Sequence, residues 1–158
     1  MLLLSPMSES AFMEYQSDAI QSYAHEHVRG GKWSADEALE ESAKAYRELL
    51  PQGLHTKDNY LWSICEQDLG AVVGMLWFAN IEKGGKQVAY VYDFKIEPEC
   101  RRKGYGEEAF TLMDEKVRSL GLVRIALHVV GHNHAASALY QKLGYVATNI
   151  NMSKSLSD

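Results

Sequence analysis

From about residue 10 to residue 28, apolar and aromatic side chains recur at Phe12, Tyr15, Ala19, Tyr23 and His27. That three-to-four-residue spacing predicts one face of a helix, and Gly30-Gly31 ends it. Ser34-Ala35-Asp36-Glu37 has the pattern of a capping box, with the serine accepting from the third helical N–H while Glu37 reaches back. It predicts a second helix that buries Leu39, Ala43, Tyr46 and Leu49 or Leu50 and stops at Pro51. Ahead of both, residues 2–5 read as a short strand ended by Pro6.

The texture changes near residue 60. Stretches 60–65, 71–79 and 88–96 are rich in β-branched and aromatic residues, punctuated by residues 68–70 and by Lys83-Gly84-Gly85-Lys86. They predict three strands joined by hairpins. After Pro98 comes a basic, glycine-containing loop, Arg101-Arg102-Lys103-Gly104-Tyr105-Gly106. A helix follows with Phe110, Met113, Val117 and Leu120 inward and Gly121 as its stop. Residues 123–130 read as a buried strand. His132 or Asn133 opens a last helix running through Leu143 to Gly144, and residues 145–152 read as a final strand. The order β-α-α-β-β-β-α-β-α-β predicts an α/β (α+β mixed) fold, a mixed sheet with helices on both faces. No repeat, linker or low-complexity tract interrupts it, so residues 1–158 are expected to form a single domain.

Composition narrows the chemistry. Sixteen Lys and Arg against 21 Asp and Glu leave a net charge of −5 over 158 residues. That argues against a general nucleic-acid binder, which would carry a basic stripe, and leaves room for a local basic site. The two cysteines, Cys65 and Cys100, form no C-x-x-C pair, which fits a reducing compartment and gives no zinc or disulfide framework. The first residues lack a basic flank for their short apolar run, and no stretch approaches roughly 18 apolar residues. A cytoplasmic protein without a membrane partner is expected.

Gly104-x-Gly106-x-x-Ala109 formally matches the dinucleotide fingerprint. Its context does not. Residues 97–103 separate it from the strand, and residues 122–134 contain no acid to hold a ribose. No Walker loop occurs. A loop entering directly into a helix presents that helix's unpaired N–H groups, here residues 102–107, as an anion site. Glycines allow close approach, and Arg101, Arg102 and Lys103 add positive charge, so a pyrophosphate suits it. The alternative on the loop alone is an ordinary glycine turn capped by exposed basic residues.

A second constellation follows the predicted strand 123–130. Asn133 is followed seven residues on by Tyr140 and then by Leu143-Gly144-Tyr145. With Ile96-Glu97-Pro98 and Arg101-x-x-Gly104-x-Gly106, it resembles the GNAT superfamily of acetyl-CoA-dependent N-acetyltransferases. The resemblance covers residues 88–146, while residues 1–60 share only the helix order. It implies a GNAT-like fold with a mostly antiparallel sheet. Residues 1–60 would hold the N-terminal strand and two helices, and residues 60–158 the sheet and the acetyl-CoA-binding core.

The resemblance also implies roles. The backbone of Phe94, Lys95 and Ile96 would pair with the pantetheine arm of acetyl-CoA, the cosubstrate. Arg101, Arg102, Lys103, Gly104, Tyr105, Gly106 and Glu107 would surround its pyrophosphate. Arg102 stands where the family pattern has a glycine, which adds charge and restricts the turn. Glu107 and Glu108 suit a helix N-terminus but would repel a close phosphate, so their side chains are expected to point away. Tyr140 resembles the general acid that protonates the leaving thiolate; its helical spacing from Ala136 and Leu143 equally fits a core residue. Asn133 would contact the cofactor, cap the last helix, or both.

The acceptor amine must lose a proton before it attacks. His128, on the predicted strand 123–130 and on the face of Arg124 and Ala126, is the first candidate base, since an ordinary histidine pKa near 6.5 suits the task. Asp93, a carboxylate inside an otherwise apolar strand and so in need of a partner, is the second. A water relay is the third. His128, His132 and His134 match no common zinc spacing, so no metal is expected. Tyr90, Tyr92 and Tyr105 read as packing residues.

The favoured reading is acetyl transfer from acetyl-CoA to a primary amine, of a small molecule or of a protein or peptide, by direct attack in a ternary complex. Neither cysteine has the histidine-paired setting of a covalent nucleophile. The alternative is a non-catalytic acyl-CoA sensor; a nicotinamide-dependent enzyme is disfavoured by the missing acid. The oligomeric state stays open, with the last strand as a candidate dimer contact.

Overall fold

The structure is a computed structural model and describes residues 1–157. The chain divides into two compact units, Met1–Leu127 and the residues from His128 onward.

The first unit is built on a five-stranded sheet in sequence order, comprising β1 (Leu2–Pro6), β2 (Asn59–Glu66), β3 (Ala71–Lys83), β4 (Lys86–Ile96) and β5 (Ile125–Leu127). The first four strands pair antiparallel, and β5 runs parallel to β4. The predicted hairpins are present, with β3 and β4 reaching further than the apolar runs alone. The turn between them uses Gly84 and Gly85, both at positive φ.

Helices lie on both faces of this sheet. On one side are α1 (Glu9–Arg29) and α2 (Ala38–Leu49). Phe12 of α1 and Leu50, just past α2, join Met7, Leu61, Met75 and Trp77 in a buried cluster. On the other side, α3 (Tyr105–Ser119) buries Ala109, Phe110, Met113 and Val117, and Phe110 meets Phe94 edge to face at 4.7 Å. The second unit contains α4 (His134–Lys142).

Local capping follows the sequence in part. Ser8, ahead of α1, accepts from the Ala11 N–H at 3.2 Å. Of the anticipated box at Ser34, only the return bond forms, from the Ser34 N–H to Glu37 Oε1 at 3.1 Å. The helix proper starts at Ala38, one turn later than the box implies.

That shift changes the buried face of α2. Leu39 is 57% exposed and Leu49 40%, whereas Ala38, Ser42 and Leu50 are buried. The reason is close helix packing. Small side chains let α2 approach α1, and the Ser42 hydroxyl donates to the Ile20 carbonyl at 2.7 Å, satisfying a fully buried polar atom.

Two further expectations are corrected. The predicted strand 123–130 shrinks to β5, three half-buried residues; Val123 is 97% exposed and Val130 46%. Gly121, at φ 80°, turns the chain so that Leu122 is buried, and pairing begins only with the bond from the Ala89 N–H to the Arg124 carbonyl. Residues 145–152 form no strand, and Val146, Ile150 and Met152 are exposed. A period-two apolar pattern gives a strand only where a neighbour supplies the ladder, and these residues have none among the described residues. The dimer contact expected of that strand loses its basis.

Both long pairings carry a bulge. One extra residue, Val73, sits in β3 opposite β2. The other, Tyr92, sits in β4 opposite β3, where Trp77 pairs with Asp93 but Phe78 pairs with Val91. Beside the first bulge, β3 and β4 come into close contact at Gly74. A Cβ there would overlap the Lys95 carbonyl oxygen and stand 3.2 Å from the Ile96 Cα. Gly74→Ala should therefore force the two strands apart and cost about 1–3 kcal/mol of stability. Urea unfolding should show a lower midpoint at an unchanged slope; an unchanged midpoint would mean that the strands separate freely here.

Candidate active site

β4 is the backbone of the site. Its pairing with β5 covers only Ala89, Tyr90 and Val91, because β5 ends at Leu127. From Tyr92 to Ile96, β4 keeps its β3 partner and runs beyond the end of β5. The residues expected to meet a pantetheine arm, Phe94, Lys95 and Ile96, lie in this stretch. Beyond the ladder with β3, two of their backbone groups bond to side chains of this chain. The Phe94 N–H donates to Asp93 Oδ1 at 2.9 Å, and the Ile96 carbonyl accepts from Arg101 Nε at 2.9 Å.

The bulge decides which way Asp93 points. Tyr92 stacks on Trp77 at 4.8 Å, on the side of α1 and α2. Without a bulge, the next residue would face α3. Instead Asp93 Oδ2 accepts from the Tyr15 hydroxyl of α1 at 2.6 Å, and Phe94 resumes the alternation against Phe110. Asp93 thus has the partner that a carboxylate in an apolar strand requires. Burial first, and then the Asp93 charge, push the Tyr15 phenol far above its ordinary pKa, so it stays protonated. The same two causes push Tyr46 of α2 up to about 12.

After β4 a 3₁₀ turn over Pro98–Cys100 leads into the basic loop. Arg101, Arg102, Lys103 and Gly104 are exposed, and α3 begins at Tyr105. Arg102 has φ 63° and Gly104 has φ 80°, so two left-handed residues flank Lys103. The restricted turn foreseen at Arg102 is real. The backbone keeps the conformation that a glycine would adopt freely, at a cost of about 1–2 kcal/mol for a residue with a Cβ. Left-handed residues ahead of a helix N-terminus form a concavity of N–H groups. With three exposed cations, this arrangement fits a pyrophosphate and so the acetyl-CoA expected from the sequence. Tyr105, Gly106 and Glu107 lie in the first turn of α3. The Glu108 carboxylate accepts from the Leu2 N–H of β1 at 2.7 Å, which turns it away from the loop as expected.

The second unit holds the remaining candidates. His128 immediately follows β5 and is exposed, so the facing argument made for a buried strand does not apply to it. Asn133 caps α4, its Oδ1 accepting from the Ala136 N–H at 3.2 Å. Tyr140 is half-buried near the end of a helix that has no fully buried residue. Its ring lies 5.7 Å from that of Tyr145, whose N–H returns to the Tyr140 carbonyl at 2.9 Å. Tyr15 is the residue that sequence reasoning took only for helix packing. The signal was the lone carboxylate at position 93; its partner, 78 positions away, carried no mark.

Residues 20–145 match the acetyltransferase (GNAT) family. The chain is 37% identical over 153 residues to the uncharacterized N-acetyltransferase YdgE of Bacillus subtilis, covering 97% of each chain. It is 36% identical over 157 residues to YycN of the same organism, described in the same words. A crystal structure of YycN superposes with a TM-score of 0.88, covering 100% of both chains. AAC(6')-Iy, solved with a bisubstrate analog of CoA and acetylneamine, superposes with a TM-score of 0.62 at 12% identity over 100% of this chain and 99% of its own, a likeness of fold alone. No helix of the described residues is long and apolar enough to cross a membrane. A glycine loop set apart from β4 by a 3₁₀ turn and entering α3, together with a family match over residues 20–145, leaves no place for the nicotinamide alternative: the chain belongs to the GNAT family of acetyltransferases.

Proposed function

We propose that the protein transfers an acetyl group from acetyl-CoA to a primary amine by direct attack in a ternary complex. The observation that carries the reading is the loop between β4 and α3, where Arg102 and Gly104 turn the backbone left-handed beneath three exposed cations. Family membership supports it. Acetyl-CoA, when bound, supplies the acetyl group as a thioester.

Each step then falls to this chain's residues. The loop and the first turn of α3 hold the pyrophosphate, and β4 beyond Val91 aligns the arm. The acceptor nitrogen adds to the thioester carbonyl carbon. The C–N bond forms, the C–S bond breaks, and the sulfur leaves with the bonding pair. Tyr140 gives that sulfur its phenolic proton. The acceptor ammonium gives one proton to Asp93, to His128 or to water before it attacks. The proton its nitrogen sheds as the amide forms goes to solvent, from which the Tyr140 phenolate is reprotonated. The products are an amide and a thiol, so no oxidant or metal is needed. The first test is acceptor-dependent release of free thiol with a panel of amines. Tight binding of acetyl-CoA without release would favour a sensor.

Backbone shape, more than any one charge, should set affinity in the loop. No atom would crowd a Cβ at Gly104, so Gly104→Val acts through φ alone, a conformation that β-branched residues avoid. It should abolish acetyl-CoA binding by calorimetry. Lys103→Ala should weaken binding modestly, and Arg102→Gly should raise the melting temperature by relieving the left-handed arginine. Equal affinities for wild type and Gly104→Val would overturn the loop assignment.

Tyr140→Phe removes one hydroxyl and little volume. If that hydroxyl protonates the leaving sulfur, kcat should fall by about 10²–10⁴-fold at an unchanged melting temperature. An unaltered kcat would assign Tyr140 to structure.

The base is resolved by comparing Asp93→Asn with His128→Gln, using one acceptor and saturating acetyl-CoA. The variant that lacks the base should lose kcat/KM together with the rising limb of the pH profile, while the other keeps the limb. A limb kept by both variants would point to the amine itself or to a water relay. Asp93→Asn needs a melting check, since it disturbs a hydrogen-bonded carboxylate.

A further inference from the structure

Asp93 is held without being neutralised. Tyr15 donates to one carboxylate oxygen at 2.6 Å and the Phe94 N–H to the other at 2.9 Å. Both donors are uncharged. The ion pairs of the described residues join Met1 to Glu66 and Asp68, His55 to Glu9 and Lys95 to Glu97, and none includes Asp93. The Asp93 charge also acts on the phenol of Tyr46, from α2; Trp77, its partner in β3, carries no charge.

A half-buried carboxylate in this setting depends on its two hydrogen bonds, and each then fixes geometry as well as energy. The Tyr15 bond has the length of a charge-assisted O–H···O contact. The Tyr15 ring packs on the cluster of Phe12, Leu50, Met75 and Trp77, so its hydroxyl comes from a fixed point. A chain of contacts therefore runs from α1 through the Tyr15 hydroxyl and the Asp93 carboxylate to the Phe94 N–H, on the strand assigned to the acyl arm.

We propose that Tyr15 is a positioning residue for acyl transfer: it orients the Asp93 carboxylate and, through it, the backbone N–H of Phe94. The proposal rests on the acyl-transfer reading given above. It holds whether Asp93 takes the acceptor's proton or only attracts its ammonium, since both roles need the carboxylate in one orientation. The device makes α1, a helix outside the glycine loop and the Asn133–Tyr140 segment, part of the reaction geometry.

Tyr15→Phe, Asp93→Asn and the double variant test it, with Tyr46→Phe as the control that deletes a neighbouring phenol not bonded to Asp93. Tyr15→Phe should lower kcat by about 10–100-fold, the scale of a small misplacement of reacting groups, and leave the KM for acetyl-CoA unchanged. The double variant should be no slower than Asp93→Asn, because the two side chains act as one unit. The Phe94 amide resonance should move in each single variant and move no further in the double. Tyr46→Phe should keep kcat within twofold of wild type. Additive losses in the double variant, or a Phe94 resonance and kcat untouched by Tyr15→Phe, would overturn the role of Tyr15. Absence of turnover by the wild type with every amine of the panel would instead overturn the acyl-transfer reading itself.

Discussion

Between Val91 and Asp93 the β4 strand takes one residue more than the β3 strand beside it, and the direction of every later side chain in β4 follows from that insertion. Tyr92 and Asp93 both turn toward α1 and α2, where Trp77 and Tyr15 receive them. Phe94 then meets Phe110 of α3. A strand with strict alternation would have set the carboxylate against the apolar face of α3, with no donor in reach and an unpaired charge to bury. The insertion falls just where β5 stops pairing. The sheet opens and the side-chain pattern changes phase at one place.

Most of the architecture could be read from the sequence because it rests on local periodicity. The helix around Phe12 and Tyr15, the three central strands and the helix through Phe110, Met113 and Val117 all declare themselves by spacing. The errors came where packing overrides that signal. Leu39 and Leu49 are the greasiest residues of α2, yet the helix turns Ala38 and Ser42 inward, because close approach to α1 favours small side chains over apolar area. Val123, Val146 and Ile150 have the composition of strand residues and lie exposed, since a strand also requires a partner, which no local pattern encodes.

The site divides along the same line. The glycine loop was legible because its conformation is local, and φ 63° at Arg102 matches the turn that the family pattern assigns to glycine. Asn133 as a cap was legible for the same reason. The surroundings of His128 were not, because they depended on a strand that ends one residue earlier. Asp93 announced only that it needed a donor. Naming Tyr15 required the bulge, and a bulge is a relation between two strands rather than a property of either.

The left-handed arginine also bears on how the loop moves. Glycine would enter this conformation at little cost, whereas Arg102 carries a Cβ that resists it. The strain at Arg102 works against the ordered loop, so the surrounding fold must hold that conformation. A ligand gripping the loop's amides returns that free energy by mass action. Hydrogen exchange at residues 102–107 is accordingly where a change in that local free energy registers.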